Sequence, residues 1–264
     1  MNEFDDQSDS MPTHWRCPTC TIGILTLIKK KFHLEETTKS IKTKHRETPS
    51  YADYIFTGIL KCNNSTCQDK VSFSGKAYQS DYERQTGEHL SETIEIVRFE
   101  PLYFFPTLHL FEIQRECPLN IKNEIIKAFG HFFNDLSACA NKIRIAVELI
   151  LTEQGVQQTI INTKKKRERL SLHSRIMKFK KDNPKFDNSR NRLLAIKWIG
   201  NDGSHTNGRL RPLDLLSAFE LLEDILEKLY DEKERRLTWI ASDVNKRKGI
   251  TPKRKTIPKW LKGN

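Results

Sequence analysis

Two cysteine pairs constrain this 264-residue chain more than any other feature: C-P-T-C at Cys17 and Cys20, and C-N-N-S-T-C at Cys62 and Cys67. Each pair sits in a polar stretch suited to a turn, and 41 residues separate the two. In a reducing compartment such pairs suit a tetrahedral Zn²⁺. Each bends round the ion on a tight turn, while two strands carry the pairs together. The expected cofactor is a structural zinc, because four thiolates leave no open position for a catalytic water. A β module this small also needs the metal's binding energy in order to fold. Four unrelated buried thiols would not come as clustered pairs in polar turns. A redox dithiol fits less well, since C-P-T-C is not followed by the helix that a thioredoxin-type site requires. His14, three residues before Cys17, is the alternative ligand. Cys117 and Cys139 read as structural, and Cys139 shares a helical face with Leu136 and Ile143, where a thiol behaves as a small hydrophobe.

The rest of the chain divides by periodicity. The segments GILTLIKKKFHLEE, YIFTGILKC, KVSFSGKAY and ETIEIVRFEPLYFF are rich in β-branched and aromatic residues, and several alternate apolar with polar. Residues 29–56 are expected to form a long hairpin inserted between the cysteine pairs. Past Pro118 the apolar residues recur every three or four positions, as in IKNEIIKAFGHFFNDL and ACANKIRIAVELILTEQGV, the mark of amphipathic helices. The segments RLSLHSRIMKFKK, SRNRLLAIKWIGND and the long run from Pro212 to Arg247 continue the pattern, giving about five helices. NTKKKRER and KDNPKFDN read as exposed connections. The fold class predicted is α+β: a small β-rich zinc ribbon over 1–117, an all-α bundle over 118–245, and a basic tail over 246–264.

That tail accounts for most of the charge. The net charge is +11, and the last nineteen residues hold eight Lys/Arg and no acid, leaving +3 on the other 245. The tail reads either as an arm for phosphate backbones, with Trp260 able to stack on a base, or as a solvated terminus. The N-terminal stretch MNEFDDQSDSMPTHW is acidic and polar, without the apolar region of a secretory signal. No run approaches the roughly 18–20 apolar residues that span a bilayer. The expected location is cytoplasmic, away from membranes.

The stretch Lys197–Thr206, KWIGNDGSHT, follows the apolar run RLLAI. If a helix continues through it, Lys197, Asn201 and His205 fall on one stripe, while Gly200 and Gly203 lie where a neighbouring backbone can come close. If Gly200 instead ends the helix, the remainder is a turn and His205 lies on a loop, which is the reading that pattern alone favours. In NKIRIAVELIL, Arg144 and Glu148 are at i and i+4 and can pair along a helix. They stand in apolar surroundings, at a bundle edge or aimed at polar residues elsewhere, with Lys197, Asn201 and His205 the candidates. A closed cluster of these five would balance its own charge.

IRIAVELIL, then LLAIKWIGNDGSH, then LDLLSAFELLEDILEKLY resemble the domain-of-unknown-function 4145 family, a branch of the HEPN (higher eukaryotes and prokaryotes nucleotide-binding) superfamily, over roughly 118–248. The resemblance implies a HEPN-like helical bundle and an association with prokaryotic restriction and defence systems. It also implies relatives that act as dimeric, metal-independent ribonucleases through an arginine-to-histidine motif. His205 matches that histidine and Asn201 the motif's polar position. The arginine is not matched: Trp198, Ile199 and Gly200 stand where it belongs, and the nearest upstream cation is Lys197. The function expected is therefore a binding or accessory module for RNA or DNA in a defence or restriction system. A divergent ribonuclease or toxin acting through His205 is the first alternative, with Lys197 or Arg144 supplying the cation. A protein-interaction or homodimerisation domain is the second.

Overall fold

A computed structural model describes residues 15–43, 52–85, 91–179, 187–204, 210–230 and 232–249. The fold is α+β, a curled antiparallel sheet followed by helices. Three long strands, β3 (Asp53–Cys62), β4 (Lys70–Gln85) and β5 (Ser91–Phe105), pair in sequence order. Two short strands share the free edge of β3. β1 (Leu25–Leu27) lies against its Cys62 end and β2 (His33–Glu36) against its Asp53 end. Burial alternates strictly along the first half of β3, with Tyr54 and Phe56 inward and Ile55 and Thr57 outward. One face thus meets the core and the other water. Phe32, Phe56, Phe73 and Phe99 fill the inner face with ring centroids 5.5–6.4 Å apart. Pro101 is accommodated in β5 because it faces Gly75, where the register shifts.

The helices are α2 (Leu119–Phe132), α3 (Leu136–Glu153), α4 (Leu172–Lys178), α5 (Asp187–Ser204), α6 (Pro212–Tyr230) and α7 (Glu232–Arg247). Helix α3 is the hub, packing on α2, α4, α5 and α6. Its buried stripe is Cys139, Ala140, Ile143, Ala146, Val147, Ile150 and Leu151, at helical spacing. Asp135 caps it by accepting from the Ala138 N–H at 2.8 Å. The buried core of the sheet and that of the helices meet through an aromatic relay. Phe104 of β5 touches Phe133 at 4.8 Å between centroids, and Phe133 touches Phe132, which reaches Phe219 of α6. Asn134 reinforces the seam by donating to the Leu102 carbonyl at 3.2 Å.

Four expectations need correction. The segment after Lys29 is no plain hairpin: β2 is followed by a short helix, α1 (Thr38–Thr43), before β3 begins. NTKKKRER is not merely a connection. It contributes to a two-stranded hairpin, β6 (Thr159–Ile161) with β7 (Arg167–Arg169), closed by Asn162, whose side chain accepts from the Lys164 and Lys166 N–H groups. The run from Pro212 to Arg247 is two helices. Gly200 does not end α5, which continues to Ser204. No helix among the described residues is long and apolar enough to cross a membrane.

Candidate metal centre and polar cluster

Strand β3 carries Cys62 at its end, and the turn after it returns Cys67. The Cys17–Cys20 turn is laid against β1 by the Leu25 N–H bond to the Trp15 carbonyl at 2.8 Å. The two turns are locked to one another. Asn63 N–H donates to the Ile24 carbonyl at 3.0 Å, Ile24 N–H donates to Asn63 Oδ1 at 2.9 Å, and Thr19 donates to Asp69. All four Sγ atoms lie within 4.8 Å of one another, close enough to hold a metal ion. Cys17 is 3.8 Å from Cys67 and Cys20 is 3.6 Å from Cys62, sulfur to sulfur. The residue after each pair, Thr21 and Gln68, has a left-handed backbone at φ 57° and 50°, the twist that turns the chain round the cluster. Gly23 stands so close that a Cβ there would collide with Cys62 Sγ.

The thiols are electrostatically unequal. Amide N–H groups of Gly23 and Ile22 aim at Cys20 and hold its thiol down at about 6. Desolvation pushes Cys62 up to about 12. The donor set is soft, four sulfurs, which suits zinc, iron or Cu(I) and not magnesium or calcium. His14 lies outside the described residues. Cys117 and Cys139 are buried outside this four-sulfur group, their thiols pushed up to about 11 and about 12 by burial.

On the helices, Arg144 and Asn201 come together: Arg144 Nη1 donates to Asn201 Oδ1 at 3.0 Å. Arg144 Nε is also 3.8 Å from Glu148 Oε1. Gly200 faces α3 here, where an added Cβ would meet the Ala140 carbonyl at 3.8 Å and Arg144 Cβ at 3.9 Å, ordinary contact distances. Lys197 does not join; its Nζ lies 3.3 Å over the ring of Trp198. His205 lies outside the described residues.

Two arginines that the sequence reading missed complete the cluster. Arg169 of β7 donates to Glu148 Oε2 at 3.1 Å. Arg175 of α4, only 4 % exposed, donates to the Glu148 carbonyl, to Thr152 Oγ1 and to the Val156 carbonyl. Burial lowers the pKa of its guanidinium. A cation capping carbonyls at a helix C-terminus is a recognisable pattern, but here the cation comes from another helix, which spacing along α3 cannot reveal.

A cleft of about 570 Å³ opens beside the cysteine turns, lined by Arg16, His109, Gln114, Glu223 and Glu227 among others. Burial lowers the pKa of His109, and burial together with Glu227 and Glu220 raises that of Glu223.

Residues 126–247 match the family model described as a domain of unknown function, DUF4145, within the segment whose resemblance to that family the sequence carried. Residues 4–104 match a second, DUF8608, which the sequence reading did not anticipate. No curated protein and no solved structure matches the chain.

Proposed function

We propose that this chain is a nucleic-acid-associated binding module with a zinc-pinned sheet and a HEPN-like helical scaffold. In this reading it is cytoplasmic and works beside a partner, a subunit of a prokaryotic restriction or defence system or a second copy of itself. The observation that carries the reading is how positive charge is distributed. Around Glu148 each of two guanidiniums has a partner, Arg144 with Glu148 and Asn201 and Arg169 with Glu148, although the single carboxylate leaves the group net positive. On the sheet the opposite holds. Lys61 and Lys70 are direct cross-strand partners, and the exposed Lys29, Lys30 and Lys31 lie one short strand away. Among the described residues none of these five forms an ion pair. Like charges directly opposed on a sheet are destabilising, and a polyanion relieves them. At the end of α7 a further run of eight cations without an acid begins at Lys246, of which Arg247 is paired with Asp243 at 2.9 Å.

A tetrahedral ion held by four sulfurs, here taken as zinc, is supported by two of the sulfur separations. Four thiolates about 2.3 Å from a tetrahedral ion lie about 3.8 Å apart, close to the 3.6 and 3.8 Å separations found. Elemental analysis should give one zinc per chain, lost when Cys17 and Cys20 are replaced by serine. Nucleic-acid affinity should fall steeply with salt and fall again on deleting residues 250–264. A flat salt response removes the reading.

A second reading is favoured by one contact. The Arg144–Asn201 bond brings a guanidinium to the last turn of α5, and His205 follows Asn201 by four residues. There His205 is the general acid or base and Arg144 the cation for a phosphorane transition state. Metal-independent cleavage of single-stranded RNA that disappears in His205→Ala supports it; equal cleavage by that variant removes it.

A further inference from the structure

The outward face of the sheet holds a shallow groove of about 690 Å³ that, among the described residues, no cysteine and no α-helix lines. Its floor is low because three of the four central positions are small: Thr57 of β3 pairs with Ser74 of β4, and Ser72 pairs with Ile59. One wall is aromatic. Ser74 pairs onward with Tyr103 and Ser72 with Phe105, so both rings rise from β5 on the open side. They are 60 % and 77 % exposed, while Phe104 between them points into the core and packs on Phe133. The opposite wall is basic, made by His33, which pairs with Thr57, and by Lys31. At the metal end the next cross-strand row is Lys61 with Lys70.

We infer that this face binds single-stranded nucleic acid, stacking bases on Tyr103 and Phe105 and holding the backbone with Lys31, Lys61 and Lys70. The inference rests on the binding reading above and gives it a site. Two aromatic side chains two residues apart on one strand stand about 6.8 Å from each other, an interval that an extended, unstacked strand can bridge with successive bases. A duplex offers no free base faces to such rings, so the site selects single strands. Anionic backbone and planar bases together match the two walls; neither wall alone would call for both. The acids near this face are distant or held: Asp53 stands at the far end of β3 beside Lys76, and Asp69, next to Lys70, accepts from Thr19. Glu100 is held by Lys76 at 2.9 Å, and Glu35 pairs with Ile55, on the side of His33 away from the Lys61–Lys70 row. Sheets that stack two or three bases on exposed aromatic side chains are a general solution to this recognition problem.

The test uses the full chain, fluorescein-labelled oligouridylate and oligothymidylate, and a duplex of mixed sequence, read by anisotropy. We expect single strands to bind more tightly than the duplex, and the two single-strand arms say whether RNA or DNA is preferred. Tyr103→Ala and Phe105→Ala should each weaken single-strand binding by about tenfold or more. Tyr103→Phe should retain it. Lys61→Ala and Lys70→Ala should each reduce the slope of log affinity against log salt by about 0.7. Both rings are exposed, so the thermal midpoint of each alanine variant should match the unsubstituted chain. If the aromatic variants bind as well as the unsubstituted chain while deletion of 250–264 abolishes binding, this site is wrong and the wider reading stands. If no oligonucleotide binds at all, both fall. A concentration-dependent dimer that Phe105→Ala dissociates, with no oligonucleotide binding, would assign the face to a second copy and overturn the inference.

Discussion

Gly23 occupies a position where any side chain would collide with Cys62 Sγ, one of the four sulfurs that could hold a metal. It donates its N–H to Cys20 Sγ at 3.4 Å and accepts from Cys17 N–H at 2.8 Å through its carbonyl, while its missing Cβ leaves room for Cys62 Sγ. Gly23→Ala is therefore expected to weaken metal binding by about ten- to hundredfold, the range found for groups that orient ligands. Competition with a chromophoric chelator measures it, and unchanged affinity would show that the turn can open elsewhere. In the neighbouring cleft two groups titrate with opposite consequences. His109 has a folded pKa below its ordinary 6.5, so the unfolded chain takes up its proton first, and stability falls as pH drops below about 6.5. Glu223 has a folded pKa above its ordinary 4.5, so its contribution is present at low pH and is lost as pH rises through the folded value. Urea midpoints between pH 7.5 and 5.5 should fall in the unsubstituted chain and fall less in His109→Gln. A parallel fall in both would assign the pH response to other groups.

Helix α5 carries a glycine in its interior that its packing against α3 does not require. An added Cβ at Gly200 would meet the Ala140 carbonyl at 3.8 Å and Arg144 Cβ at 3.9 Å, ordinary contact distances. Gly200→Ala should thus stabilise the chain by about 0.5–1 kcal/mol through helix propensity alone. A loss of stability in denaturant titration would mean that α3 and α5 need a closer approach. These elements also mark how far the sequence could be read. The cysteine turns were legible because ligand spacing is local chemistry, and the α3 stripe because its period is. The end of α5 was not, since G-N-D-G-S reads as a stop and only packing against Ala140 and Arg144 carries the helix past it. β7 was not, because Arg167, Glu168 and Arg169 are all exposed and show no alternation to betray a strand. Tyr103 and Phe105 were hidden by their neighbours: P-L-Y-F-F shows no alternation of apolar with polar, and only the register with Ser72 and Ser74 decides which rings face outward. Of the five polar candidates, Arg144, Glu148 and Asn201 meet because they lie on facing helices. Lys197 turns to Trp198, one residue along its own helix, a choice that stripe geometry does not encode.

At the scale of the molecule the two cores differ in what sustains them. The helical core buries long apolar side chains from α2, α3, α5 and α6, including Ile121, Ile125, Phe129, Ile143, Ile150, Leu222 and Ile225, and needs no metal. The sheet core is smaller, with Cys17 and Cys62 among its buried members, so its cysteine end depends on whatever holds four sulfurs together. Without an ion the four sulfurs lose the bonds that would hold them together, and the turns carrying them would open. Chelation should therefore act unevenly. Hydrogen exchange at β1 and the Cys62 end of β3 is expected to accelerate sharply, while amides of α3 and α6 keep their protection and the far-UV helical signal persists. The aromatic relay from Phe104 through Phe133 limits that separation, because the helical side of the seam would lose a packing partner. A partial loss of protection in the last turn of α2, beside Phe132 and Phe133, is accordingly part of the expected pattern. Replacing Phe104 by alanine should mimic that component without touching the metal, at about 3 kcal/mol for a well-packed aromatic ring. If chelation instead unfolds sheet and helices in one transition, the seam couples the cores more strongly than a few ring contacts and one Asn134 hydrogen bond imply, and the metal stabilises the chain as a whole.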